Sequence, residues 1–282
     1  MTTAAEGLLA RKTWRTLEPL HGMIYFVPEA AEAYSRIGIT GRSGYFASRA
    51  APMGAVTPAA VIATFFNFNP ALVYAAIPSA WEIAAPRALL AARLEAVDGA
   101  FRRLLGDEVL VSAEMLRAAE SARGMAEEAG TRVEGRPLCA GHAELPWPEA
   151  PHLVLWHAQS ILREFRGDGH VALLVTHGLS GIEALVTHAA GGEVPAGILR
   201  STRGWSDEQW GSAVSSLRAR GWLAEGDDLS LTETGAAQRQ EIEEQTDRLA
   251  AVPYVGLGEE GCAELRTLTR PWSRVFSEVL LR

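Results

Sequence analysis

The stretch from Leu179 to Gln240 restricts the fold of this chain more than any other. Its apolar spacing predicts three short helices, over Leu179–Ala190, Pro195–Arg203 and Ser206–Arg220. Ser206 ahead of Asp207 and Glu208 is an N-cap followed by first-turn carboxylates, where the helix dipole favours negative charge. Ala213, Val214 and Leu217 form the inward stripe of the third helix, and Gly221 after Arg218 and Arg220 marks its end. Trp222 and Leu223, an acidic turn at Glu225 to Asp228, and Leu229 to Thr232 then read as a two-stranded wing. Thr232 caps a long polar helix, with Gly235 interrupting its first turn.

Composition narrows the function classes. The chain has 282 residues, 48% of them hydrophobic, enough for a sizeable core and comfortable for two domains. A formal net charge of −8 argues against general attraction to nucleic acid or to anionic membranes. Two distant cysteines, Cys139 and Cys262, give no disulfide framework, and no apolar run has the length of a membrane span. A cytoplasmic setting without membrane association is the expectation.

Upstream, the pattern is helical throughout. Leu8–Phe26 reads as one helix, on which His21 and Tyr25 are neighbours one turn apart. Between Gly44 and Arg93, short apolar helices each start at a proline, and Arg49, Asn67, Asn69 and Glu82 are the polar residues in core-like surroundings. Pro86–Leu105 is amphipathic, with Leu89, Leu90, Leu94, Val97, Phe101 and Leu104 inward and Arg87, Arg93, Arg102 and Arg103 mostly outward. Ser112 caps a helix to Ala129, and the Gly- and Pro-rich 130–148 stretch is a domain seam. Helix resumes over Pro151–Phe165. In the Arg163 to His170 cluster, Gly167 and Gly169 bracket Asp168, which predicts a sharp turn with Asp168 capping a helix that starts near His170. Pro253–Gly261 reads as a loop, and Pro271 as a kink in the last helix.

The order helix, helix, helix, wing, helix resembles the winged-helix domain of MarR-type regulators. The whole chain is similar to an actinobacterial two-domain helix-turn-helix (MarR-like) family. Residues 25–29 (Tyr-Phe-Val-Pro-Glu), 45–54 (Tyr-Phe-Ala-Ser-Arg-Ala-Ala-Pro-Met-Gly), 63–70 (Ala-Thr-Phe-Phe-Asn-Phe-Asn-Pro) and 163–170 (Arg-Glu-Phe-Arg-Gly-Asp-Gly-His) carry the likeness. The resemblance implies an all-α fold with a small β-wing: a helical ligand-pocket domain over 1–147 and a winged-helix domain with flanking helices over 148–282. It supplies no activity.

The expected function is that of a MarR-like protein binding a small, partly apolar ligand, as a ligand-responsive transcriptional regulator. Candidate ligand-binding residues are His21, Tyr25, Arg49, Asn67, Trp81, Trp156, Arg163 and Arg166. Between Arg200 and Thr232 four arginines face five carboxylates, so DNA is disfavoured as a partner at the positions where a recognition helix and wing approach it. A second copy of the chain, as a homodimer, is the other expected partner. The competing reading is an enzyme on the same scaffold, with His170 and Asp168 as a catalytic proton-transfer pair and an arginine holding a small anionic or aromatic substrate. No metal site is expected from the histidine spacings, and no cofactor is named by the sequence.

Overall fold

The computed structural model describes residues 2–280. In chain order its helices are α1 (Ala4–Gly22), α2 (Pro28–Arg36), α3 (Arg42–Ala50), α4 (Pro58–Phe65), α5 (Pro70–Ala76), α6 (Ser79–Ile83), α7 (Pro86–Leu105) and α8 (Asp107–Leu110). They continue as α9 (Ala113–Gly130), α10 (Pro137–Ala143), α11 (Pro151–Thr176), α12 (Gly181–Ala190), α13 (Ala196–Arg203), α14 (Asp207–Ala219), α15 (Glu233–Ala250) and α16 (Val252–Leu280). The starts follow local chemistry. Thr3, Ser180 and Ser206 make full capping boxes with Glu6, Glu183 and Gln209, and proline opens α2, α4, α5, α7, α10 and α11, where its missing N–H costs nothing.

Packing divides the chain into two compact units, and neither is a single stretch of sequence. The first takes the residues up to Val56, Ala76–Gly169, and the chain from Asp247 onward; the second takes Thr57–Ala75 and His170–Thr246. Helices α11 and α15 each carry residues of both.

In the first unit α16 packs along α1 and α9, and α7 packs against α2 and α3. Alanines 118, 119, 122, 126 and 129 on α9 are all buried, and their small side chains let helices approach closely. Leu17, Leu20, Phe46, Leu89, Phe101, Met115, Trp156, Phe165 and Phe276 form the fully buried centre, with the Phe101 and Phe276 rings 4.7 Å apart. Each such side chain contributes roughly 1.5–3 kcal/mol by burial. The expected loop at 253–261 is instead helical apart from Gly258 (φ 79°), and this residue, not Pro271, is where α16 leaves helical geometry.

The second unit is built around Leu174, Leu179, Leu185, Val186, Leu199, Trp210, Leu217, Trp222, Leu223 and Ile242. Helices α12, α13 and α14 form the expected three-helix order, with the turn at Gly204-Trp205-Ser206 between α13 and α14.

The small β-wing does not form, and among the described residues the fold is all-α without a sheet. What remains is one antiparallel bridge, Leu223 with Leu231, flanked by Ala224 N–H to Ser230 O and Thr232 N–H to Trp222 O, both 3.0 Å. A longer ladder is pre-empted by Arg218, whose guanidinium donates to the carbonyls of Ala224 and Gly226. Trp222, Leu223, Leu229 and Leu231 are committed to the core instead. Gly235 opens α15 rather than weakening it. A Cβ there would sit 2.0 Å from the Trp222 carbonyl oxygen, so only glycine lets α15 start beside the bridge.

A second correction concerns Arg163 to His170. The chain does not turn there, and α11 runs unbroken through both glycines. A Cβ on Gly169 would lie 2.8 Å from Arg136 Nη1, and Arg136 donates to the Phe165 carbonyl while its guanidinium covers the Phe165 ring at 3.8 Å. The glycine clears a path for an arginine across a helix surface.

Candidate functional site

The first unit contains a buried polar cluster assembled on α11. At its centre is Glu164, 1% exposed. Arg49 from α3 grips it in a fork, Nε to Oε1 at 3.2 Å and Nη2 to Oε2 at 3.0 Å, and Arg163 Nη1 adds a third bond to Oε1 at 3.0 Å. Burial pushes the Glu164 carboxyl up, but the two guanidinium groups outweigh it and hold the group far below the ordinary carboxylate range. Arg163 also donates to Glu18 Oε1 at 2.9 Å, and Trp14 Nε1 donates to the other oxygen of Glu18 at 3.0 Å.

His21, from α1, stacks on Trp156 with ring centroids 5.3 Å apart and planes within 10°. Ser160 donates its hydroxyl proton to the Trp156 carbonyl, so it accepts from His21 Nδ1–H at 2.9 Å. Nε2 of His21 is then the acceptor for the Tyr25 hydroxyl at 3.1 Å. Burial first, and then the Arg163 charge, hold this imidazole neutral, well below its usual pKa. Tyr45, 5.0 Å from the Tyr25 ring, accepts from Arg49 Nη1 at 3.2 Å. The cluster can hold a proton on a defined nitrogen and present a fixed hydroxyl, a stacked ring and several cations.

Further histidines line the same region. His142 donates from Nδ1 to the Leu138 carbonyl at 2.8 Å, and burial brings its pKa down to about 3. His157, whose ring meets Trp147 edge-on at 4.8 Å, is brought down to about 4 by burial. Arg93 acts on both. That arginine, expected on the outer face of α7, is 5% exposed, with its guanidinium 5.2 Å from the Trp156 ring centroid. Its position was readable: 93 lies four residues after Leu89 and four before Val97, on the stripe that buries both.

Of the residues singled out from sequence, His21, Tyr25, Arg49, Trp156 and Arg163 therefore share one cluster. Arg166 points elsewhere in the first unit, pairing with Asp247 at 3.0 Å and covering Trp14 at 4.5 Å. Trp81 donates from Nε1 to the Val56 carbonyl at 2.9 Å, a structural contact. Asn67 lies in the second unit, where its main-chain carbonyl accepts from Trp205 Nε1 at 3.0 Å. Asp168 accepts from the Cys139 backbone N–H at 2.9 Å, and burial raises its pKa to about 7. His170 instead meets Thr246 Oγ1 at 2.9 Å. Two positions apart on a helix, Asp168 and His170 do not face each other. Sequence reasoning overlooked Glu164, Glu18, Ser160, His142 and Arg93.

In the second unit a three-residue turn joins α13 to α14, the element order of a helix-turn-helix, and a family model described as a helix-turn-helix family matches residues 10–280. The chain belongs to this helix-turn-helix family. No curated protein and no solved structure matches it.

The electrostatics of this helix-turn-helix protein are unusual for a DNA reader. Asp207 and Glu208 occupy the exposed first turn of α14, the end that would meet base edges. All five arginines of the unit have protein partners. Arg200 pairs with Asp207 at 3.0 Å, and Arg203 donates to Thr202 and covers Phe68. Arg218 holds the Ala224 and Gly226 carbonyls, Arg220 holds those of His177 and Gly178, and Arg239 reaches His188 and Glu193. Beside α14, an open surface groove of about 670 Å³ is lined by Glu183, Glu208, Trp205, Ser206 and Ser212 among others. Among the described residues, no three His, Cys, Asp or Glu side chains are grouped to hold a metal ion, and no single helix is long and apolar enough to cross a membrane.

Proposed function

We propose that this protein is a ligand-responsive transcription regulator of MarR-like build: the first unit encloses a small, partly apolar ligand, and the helix-turn-helix unit passes on the bound state. The α11 cluster carries the reading. Replacing a buried ion pair by apolar side chains is often neutral or stabilising, so folding alone gives little reason to keep two arginines on one buried glutamate. The same surroundings place a stacked His21–Trp156 pair and the hydroxyls of Tyr25 and Tyr45 around those charges, which is how ligand sites mix apolar walls with a few oriented polar groups. Continuity of α11 and α15 from one unit into the other supports coupling between ligand capture and the helix-turn-helix.

Membership of a helix-turn-helix family is compatible with DNA as the output partner. The acidic start of α14 and the engaged arginines favour a second reading, in which the helix-turn-helix face meets a protein, for example a second copy of the chain, instead of a phosphate backbone. One experiment separates them. The protein as purified is examined by native mass spectrometry for bound ligand and subunit number, then titrated against fragments of its own upstream DNA at low and moderate salt. A copurifying ligand together with a DNA shift that changes on its removal is the expected result. Ligand-free protein that ignores DNA even at low salt removes the regulator reading.

A further inference from the structure

Arg93 is the one arginine of the α11 cluster without a carboxylate. Its guanidinium makes a single hydrogen bond, Nη1 to the Ser48 carbonyl at 2.9 Å, and its buried Nε has no protein partner. Among the described residues, the carboxylate that acts on it is Glu164, which already accepts three bonds from Arg49 and Arg163. Arg49 and Arg163 are taken up by Glu164 and Glu18, which leaves Arg93 as the cation of this group without a carboxylate of its own. The nearby histidines stay neutral, and Asp168 accepts from the Cys139 N–H. A further buried donor on α11 beside Arg93, Trp156 Nε1, also lacks a protein partner. Nε2 of His157 is unpartnered as well and donates in its Nε2–H tautomer.

We infer that the ligand of this cluster is a small organic carboxylate, a monoanion, taken by the Nε and Nη2 edge of Arg93 with Trp156 and His157, the α11 residues beside Arg93, as supporting donors. This rests on the ligand-binding reading above and specifies its chemistry. Ser48 occupies Nη1, which leaves the side edge of the guanidinium, the edge a planar carboxylate meets with two parallel bonds. One carboxylate matches this one arginine; a phosphate monoester, nearly doubly charged at neutral pH, brings a second charge that Arg93 alone does not meet. The stacked indole and imidazole of Trp156 and His21 suit a carboxylate with a flat apolar body.

The test is calorimetric titration of the full chain, stripped of bound ligand and free of DNA, with sodium acetate, sodium benzoate, benzamide and sodium phosphate. At least one of the two carboxylates should bind with one site per chain, at least tenfold more tightly than phosphate, and benzamide should give no heat. Arg93→Met should weaken that binding tenfold or more without lowering the midpoint of thermal unfolding, because the change removes an uncompensated buried charge. Arg93→Lys, which keeps the charge but loses the fork, and His157→Phe provide folded variants with intermediate losses of several-fold. Silence of both carboxylates, equal binding of benzamide or phosphate, or full affinity in Arg93→Met overturns the inference. Carboxylate binding without any effect on the helix-turn-helix partner would leave it standing while the regulator reading falls; a copurified ligand indifferent to Arg93→Met would do the reverse.

Discussion

Arg49 and Glu164, 115 residues apart in sequence, meet through two parallel hydrogen bonds in the interior of the first unit. The pair joins α3 to α11 and orients Arg163 and Tyr45 around it. A glutamate so enclosed tolerates the loss of its partners poorly, because the charge left behind cannot reach water.

Glu164→Gln is therefore expected to destabilise the protein by about 3–5 kcal/mol, the usual cost of breaking a buried pair from one side. Arg49→Met should cost a similar amount. Urea unfolding of both single variants and of Arg49→Met/Glu164→Leu checks this, with the double variant recovering much of the loss. Simple addition of the two single costs would contradict the pairing.

Acid sensitivity should follow the buried imidazoles. His21, His142 and His157 all have folded pKa values depressed below the unfolded value, to about 3 for His142 and about 4 for His157. The unfolded chain then binds more protons than the folded one as pH drops below about 6.5, so stability should decline from there toward pH 4. Unfolding midpoints measured across that range should fall, and His157→Phe should flatten part of the slope.

Asp168 works in the opposite sense. Its folded pKa is raised to about 7, so it keeps a proton that the unfolded chain releases, and its contribution falls as pH rises from about 4 to 7. Asp168→Asn retains an acceptor for Cys139 N–H and removes the buried charge. It should stabilise the protein at pH 8 by on the order of 1–2 kcal/mol and hardly at all near pH 4. A variant equally stabilised at both pH values would show that charge is not the cause.

Gly235→Ala tests the closure that replaces the wing. The added methyl cannot coexist with the Trp222 carbonyl at 2.0 Å, so α15 must shift away from the Leu223–Leu231 bridge. Faster amide exchange at Ala224 and Thr232, together with a loss of about 2 kcal/mol or more, is the expected outcome. Unchanged protection at these two amides would place the strain elsewhere.

For the helix-turn-helix, Asp207→Lys with Glu208→Lys reverses the charge at the start of α14 while leaving the Ser206 cap. Mobility-shift titration should show duplex DNA affinity rising by tenfold or more, with a steeper salt dependence. An unaltered affinity would mean that this end of the helix does not approach DNA.

Much of the second unit was legible from local pattern. Ser206 before two carboxylates and Gly204 ahead of it define a turn and a cap whatever surrounds them, and the three helices appear where the spacing puts them. The wing was misjudged because a strand needs free carbonyls, and Arg218 takes those of Ala224 and Gly226 from outside the hairpin. Gly167 and Gly169 were misread for a similar reason. Glycine marks either a turn or a close approach, and only the position of Arg136 shows which. In the cluster, His21 and Tyr25 were visible as a one-turn pair, whereas Glu164 was passed over next to Arg163 because the arginine that grips it, Arg49, lies 115 positions away.

The sequence by itself determined the helices, their caps and the helix-turn-helix order, since these depend on residues within a few positions of one another. Tertiary structure decided which charges are buried and which buried charge lacks a mate. Arg93 and Glu164 owe their character to α3, α7 and α11 meeting in the first unit, and a pairing between residues tens to more than a hundred positions apart leaves no local pattern in the chain.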